Sequence, residues 1–187
     1  MKIEVSQKTY ERLSELAKGF DTPDSVISRL LDSVAKIPTR KPTITFDPTS
    51  ERDFKSALLE TRLAEVCISY DDESTQFLVW NAEKFKDSSN LKANLWSGFL
   101  RGWKEKGITR ITLKILDSST DRTVLKIGHA LGLSYADAVV VQPRYHQEDE
   151  DTYLIWFENE DLPIINKVKP KVNNDLEVYL PTLMLDL

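Results

Sequence analysis

A short strand with no mate in its own segment constrains this chain more than any other feature. The first 36 residues read MKIEVSQKTYERLSELAKGFDTPDSVISRLLDSVAK. Over residues 2–6 the side chains alternate, so Ile3 and Val5 share one face and Lys2, Glu4 and Ser6 the other. Ser6 has the side chain of an N-cap, and the helix it opens puts Tyr10, Leu13, Leu16 and Ala17 on one stripe, with Gly19 placed to close it. Thr22-Pro23 restarts the chain as cap and first-turn proline. Val26, Ile27, Leu30, Leu31 and Val34 then give a second helix a wide apolar face. A lone strand needs a partner, and two short helices cannot bury such stripes alone. The expected solution is an intertwined dimer with the two strands paired antiparallel. Ile3, Val5, Tyr10, Leu13, Val26, Ile27, Leu30, Leu31 and Val34 would form its interior.

This succession of strand, cap, glycine and Thr-Pro resembles the ribbon-helix-helix family. The spacing of Ile3-Glu4-Val5, Tyr10 and Leu13 is similar to the N-terminal oligomerisation domain of SeqA. The resemblance covers roughly the first fifth of the chain. It implies a ribbon in the major groove, where Lys2, Glu4 and Ser6 read bases and the amides around residues 22–25 hold a phosphate. Two features depart from the pattern. Glu4 places an acid in the middle of the ribbon, where the phosphate field repels it, and Asp21 and Asp24 flank the anion-holding helix start. The ribbon therefore either enters DNA or serves only to dimerise.

At 187 residues the chain has room for this small domain and a larger one. No apolar run approaches eighteen residues and no signal peptide is apparent, so a cytoplasmic chain without membrane contact is expected. The single cysteine, Cys67, excludes an internal disulfide and reads as a small packing residue. A net charge of −5 conceals a strong division. Residues 84–114 carry eight bases against two acids, whereas residues 147–187 carry ten acids against three lysines.

Residues 37–49, with Pro38, Pro42 and Pro48, read as an extended linker or edge segment between residues 1–36 and 50–187. Arg40 and Lys41 make it a candidate basic arm. Beyond it the pattern predicts a helix over 51–62, a hairpin over 63–80, a helix over 93–106 and a strand over 108–116. A helix restarting at Asp117 and running to Leu131 follows, then strands over 138–141 and 152–157 around a polar loop at 143–146, and a short strand near 176–180. The fold class expected is α+β: a ribbon-helix-helix domain followed by a domain of antiparallel strands and about three helices.

Catalytic signatures are absent from the sequence: no Gly-rich phosphate loop, no paired-cysteine or His-x3-His ligand set, no Gly-x-Ser-x-Gly elbow. No cofactor and no metal are expected. His129 reads as a structural helix residue. His146, beside the acids of residues 148–151, leaves a metal-dependent nuclease as the enzymatic alternative. The favoured reading is a dimeric DNA-binding protein of regulatory type. Its phosphate contacts would be made by Arg40, Lys41, Lys92, Arg101, Lys104, Arg110 and Lys114. The rival is a protein-interaction or antitoxin-like assembly factor whose acidic C-terminal region faces a basic partner.

Overall fold

The computed structural model describes residues 4–19, 21–34 and 40–185, with the side chains of 32–34 excepted. Seven α-helices, two 3-10 turns and seven strands are present among them, in a mixed α+β arrangement with two sheets.

In the N-terminal region, Ser6 accepts from the Thr9 amide at 3.3 Å and opens α1 (Gln7–Glu15). Thr22 accepts from the Ser25 amide at the start of α2 (Pro23–Val34). Both caps fall where the sequence places them. Val26 is buried between the helices, while Tyr10, Leu16, Ile27 and Leu31 of the two stripes remain exposed, as does Val5. Lys2 and Ile3 lie outside the described residues, as does the side chain of Val34, and residues 4–6 form no ladder in the single chain.

The first sheet runs β1 (Thr43–Asp47), β4 (Ile108–Ile115), β2 (Leu63–Tyr70), β3 (Thr75–Asn81). Within the segment 37–49, read as an extended linker or edge segment, residues 43–47 form an edge strand. Ile44 and Phe46 alternate with Thr43, Thr45 and Asp47, and Phe46 reaches the core against Phe54, with ring centroids 5.0 Å apart. Because β1 pairs parallel with β4, the sheet is mixed rather than antiparallel throughout. Registered partners fix its inner face: Ile44–Ile111–Ile68 and Phe46–Leu113–Val66–Leu78. Against that face lie Phe54 and Leu58 of α3 (Glu51–Thr61) and Leu91 and Leu95 of α4 (Leu91–Ser97).

The helix expected over 93–106 stops at Ser97. Gly98 leaves helical geometry, the Leu100 amide bonds back to Leu95 O, and the chain continues in turns to Gly107. Gly102 adopts φ +69, which a side chain would disfavour. These turns still bury Leu100 and fold Trp96, Phe99 and Trp103 onto the core. The apolar spacing is thus satisfied without a continuous helix.

The second sheet, β5 (Arg144–Gln147), β6 (Thr152–Trp156) and β7 (Glu177–Pro181), is antiparallel. Its core joins Ile155, Leu180 and Leu185 to Ile127 of α5 (Arg122–Ala130), to Leu131 at the C-cap of that helix and to Val141 of α6 (Tyr135–Val141). Residues 138–141, expected as a strand, belong to α6. Ser134 caps it by accepting from the Asp137 amide, and Ala138 and Val141 are buried while Val139 and Val140 are exposed, a helical period. Of the loop expected at 143–146, residues 144–146 belong with Gln147 to β5; all four are exposed, so only pairing with β6 makes them a strand. The helix expected from Asp117 begins at Arg122, capped by Asp121, which accepts from Thr123 N and Val124 N. With α3 to α6 and the terminal turn α7 (Thr182–Leu185), residues 50–187 hold more than the three helices expected.

Helix α5 joins the two halves. Leu125 meets Leu63 and Leu116 on the outer face of the first sheet, while Ile127 and Leu131 enter the core of the second.

Candidate nucleic-acid interface

The outer face of the first sheet is laid out in rows by register. Thr43, Arg110, Ser69 and Thr75 form one, Thr45, Thr112, Cys67 and Phe77 the next, and Asp47, Lys114, Glu65 and Val79 the third. Arg110 and Lys114 are exposed on this face, four residues and so about 13 Å apart along β4. Thr45 and Thr112, in the row between those of Arg110 and Lys114, share a hydroxyl hydrogen bond of 2.8 Å. Arg110 has only hydroxyl neighbours in its row, whereas Lys114 stands between Asp47 and Glu65. Beyond Lys114 the face runs into a groove of about 390 Å³ lined by Asp117, Ser119, Thr120, Tyr135 and Val139.

The remaining bases lie in the opposite layer. Arg101 and Lys104 are exposed, but in the turns that follow α4 and cover the inner face, so they share no helix face. Lys92 forms an ion pair with Glu51 at 2.7 Å and is already partly compensated. Lys41 sits 5.8 Å from the centroid of Trp96, a cation–π contact that brings the basic arm onto α4. Arg40 beside it is exposed. The seven candidates thus divide into an α4-side group, Arg40, Lys41, Lys92, Arg101 and Lys104, and a sheet-face pair, Arg110 and Lys114.

At the N-terminus, the helix start assigned to a phosphate is largely occupied by the chain's own groups. Thr22 takes the Ser25 amide. Asp21 is bonded to Arg29 at 2.6 Å and accepts from the Lys18 amide, and the Arg29 bond before all else holds its carboxyl below the usual range. Glu4 and Ser6 are exposed ahead of α1.

One pair escaped the sequence reading. Glu65, which alternates along β2 with the inner-face residues Ala64 and Val66, is only 4% exposed. Its Oε1 accepts from the Tyr135 amide at 2.6 Å and shares a 2.8 Å bond with His129 Nε2, while the His129 ring stacks on Phe77. The carboxylate is thereby satisfied where α5 and the start of α6 cover the sheet. Nothing local announces this, since the partners lie 64 and 70 residues away. Cys67, next on that face, has its thiol pushed up by burial and then by the Glu65 charge, which suits packing rather than nucleophilic attack. His146 is on β5 rather than in a loop, and among the described residues no group of three or more His, Cys, Asp or Glu is placed to hold a metal. No single described helix is long and apolar enough to cross a membrane.

No protein-family description, curated protein or solved structure matches this chain.

Proposed function

We propose that this chain is a dimeric DNA-binding protein of regulatory type, dimerised by its N-terminal helices and contacting duplex phosphates through its basic surface. The observation that carries this reading is the gathering of Arg40, Lys41, Arg101 and Lys104, all exposed, on the α4 side, with Lys41 tied there through Trp96. Residues 84–114 carry eight bases against two acids and residues 147–187 ten acids against three lysines, so the charge is segregated along the chain in the manner that steers a polyanion. Dimerisation is supported by the exposed stripe of Val5, Tyr10, Leu16, Ile27 and Leu31, which a monomer would leave in water. Lys2, Glu4 and Ser6 belong to this reading as groove contacts of a paired ribbon.

The test is a mobility-shift titration of duplex DNA at two salt concentrations, with the parent chain, Ile27→Asp, Glu4→Gln and Arg101→Ala/Lys104→Ala. Ile27→Asp, which buries a charge in the dimer interior, is expected to yield monomers in sedimentation and weaken the shift. The double alanine change should lower the salt slope by roughly two units, about one per phosphate contact. Glu4→Gln should tighten binding if the ribbon enters the groove and leave it unchanged if the ribbon only dimerises. An unaltered slope in the double variant would remove the basic surface from the reading.

A further inference from the structure

The second sheet has a face that none of the described residues covers with a core. Register places Arg144, Trp156 and Glu177 in one row across it and His146, Leu154 and Tyr179 in the next. The opposite face holds Ile155 and Leu180 and is the buried one. Tyr179 is 60% exposed, His146 is exposed, and Leu154 and Trp156 are half-buried among these neighbours. Of the four tryptophans, Trp80, Trp96 and Trp103 pack on the core of the first sheet, whereas Trp156 lies on the second sheet's face away from its core.

Acids outnumber bases around this face. Glu177 stands in the Trp156 row, and Glu158 reaches Arg144 at 3.4 Å, answering the one arginine on the face. At the other end, residues 148–151 supply four consecutive acids between β5 and β6. That turn is tied to the sheet, since the Thr182 amide donates to Asp151 O at 2.7 Å. An apolar, aromatic strip between two acidic ends repels nucleic acid and complements a chain of cations. Aromatic faces add to this, because Trp and Tyr attract guanidinium and ammonium groups laid over them.

We propose that this face is a docking surface for a cationic polypeptide segment of another protein. The arginine or lysine side chains of that segment would lie over Trp156 and Tyr179, with its flanking charges against the acids at the two ends. The site is independent of the DNA reading: it lies on the other sheet and shares no residue with the basic surface.

The probe is a fluorescein-labelled nonaarginine peptide titrated onto the full-length chain by anisotropy, with nonaglutamate as control. Heteronuclear NMR of the indole NH signals is recorded on the same sample. Nonaarginine is expected to bind and to move the Trp156 indole signal while those of Trp80, Trp96 and Trp103 stay in place. Tyr179→Ala, at an exposed position that leaves the fold intact, should weaken binding about fivefold, or about 1 kcal/mol. Amide replacements at Glu148, Asp149, Glu150 and Asp151 should weaken it further, whereas Glu11→Gln/Glu15→Gln on α1 should not.

Absence of binding would overturn the proposal. So would equal losses from acids neutralised anywhere on the chain, or an unmoved Trp156 signal, either of which means general charge attraction. Self-association beyond the dimer that Tyr179→Ala abolishes would also overturn it, by assigning the face to a second copy's own bases.

Discussion

On the first sheet the outer face carries Thr45, Arg110, Thr112 and Lys114 where it is open, and Glu65 where α5 and α6 cover it. On the second sheet the outer face carries Leu154, Trp156 and Tyr179, with acids at either end. The two sheets thus invert the usual pairing of polarity with exposure. The first buries a carboxylate between layers and can do so because His129 and the Tyr135 amide meet it there. The second leaves Tyr179 exposed and Trp156 half-buried, and none of the described residues builds a core over them. A buried charge with every partner in place closes a surface, whereas exposed rings flanked by unspent charge leave one available.

The strongest way to break this contrast is to unmake the buried pair. Glu65→Ala should lower stability by about 3–5 kcal/mol in denaturant titration, because an imidazole and an amide lose their shared acceptor. A loss below about 1 kcal/mol would mean that α5 is held to the sheet by Leu63, Leu116 and Leu125 alone. Next comes the seam between α5 and α6, on which the second sheet's core is built. A Cβ at Gly128 would stand 2.6 Å from the Ala138 Cβ, so Gly128→Ala should cost about 1–3 kcal/mol by overpacking. The same substitution would be neutral if the helices could part freely.

The open polar face is sharpened rather than broken by Arg110→Ala and Lys114→Ala. Both side chains are exposed, so thermal unfolding should move within about 0.5 kcal/mol for each. If the face meets phosphates, each change lowers the DNA salt slope by about one unit. Lys114, standing between Asp47 and Glu65, should give the smaller loss of affinity.

The smallest effect belongs to Asp117 at the mouth of the groove. Its carboxyl accepts from the Ser119 hydroxyl and amide, and these bonds, the hydroxyl's first, hold it below the ordinary aspartate range. The folded-state value is the depressed one. The stabilisation is therefore present above the ordinary aspartate value and disappears as pH falls through the lowered one. Asp117→Asn should reduce stability slightly at neutral pH, and that difference should vanish in strong acid. An Asp117 carboxyl that titrates like a free aspartate by NMR would remove this contribution.

Much of the second part was legible because its signals are local. The helix over 51–62, the hairpin over 63–80 and the strand over 108–116 need only neighbouring residues to be expressed. Where the reading failed, two structures shared one pattern. Apolar residues at 95, 96, 99, 100 and 103 suit a helix equally well as a short helix with buried turns, and glycines at 98 and 102 allow the latter. Residues 138–141 are β-branched enough for a strand, yet Ser134 caps them as a helix. Residues 144–147 carry no periodic signal at all, because both their faces are wet.

The sequence by itself determined the amphipathic stripes, the caps and the division of charge along the chain, since each is a property of side chains within a few turns of one another. Only the tertiary structure decided which faces meet. It made residues 43–47 a parallel edge strand, set Arg110 and Lys114 on the sheet opposite to Arg101 and Lys104, and brought His129 to Glu65. It also placed Trp156 on the same sheet face as Tyr179. Those outcomes depend on ladder register and on contacts dozens of residues apart, where the choice of partner is made by the whole packed core and not by any local pattern.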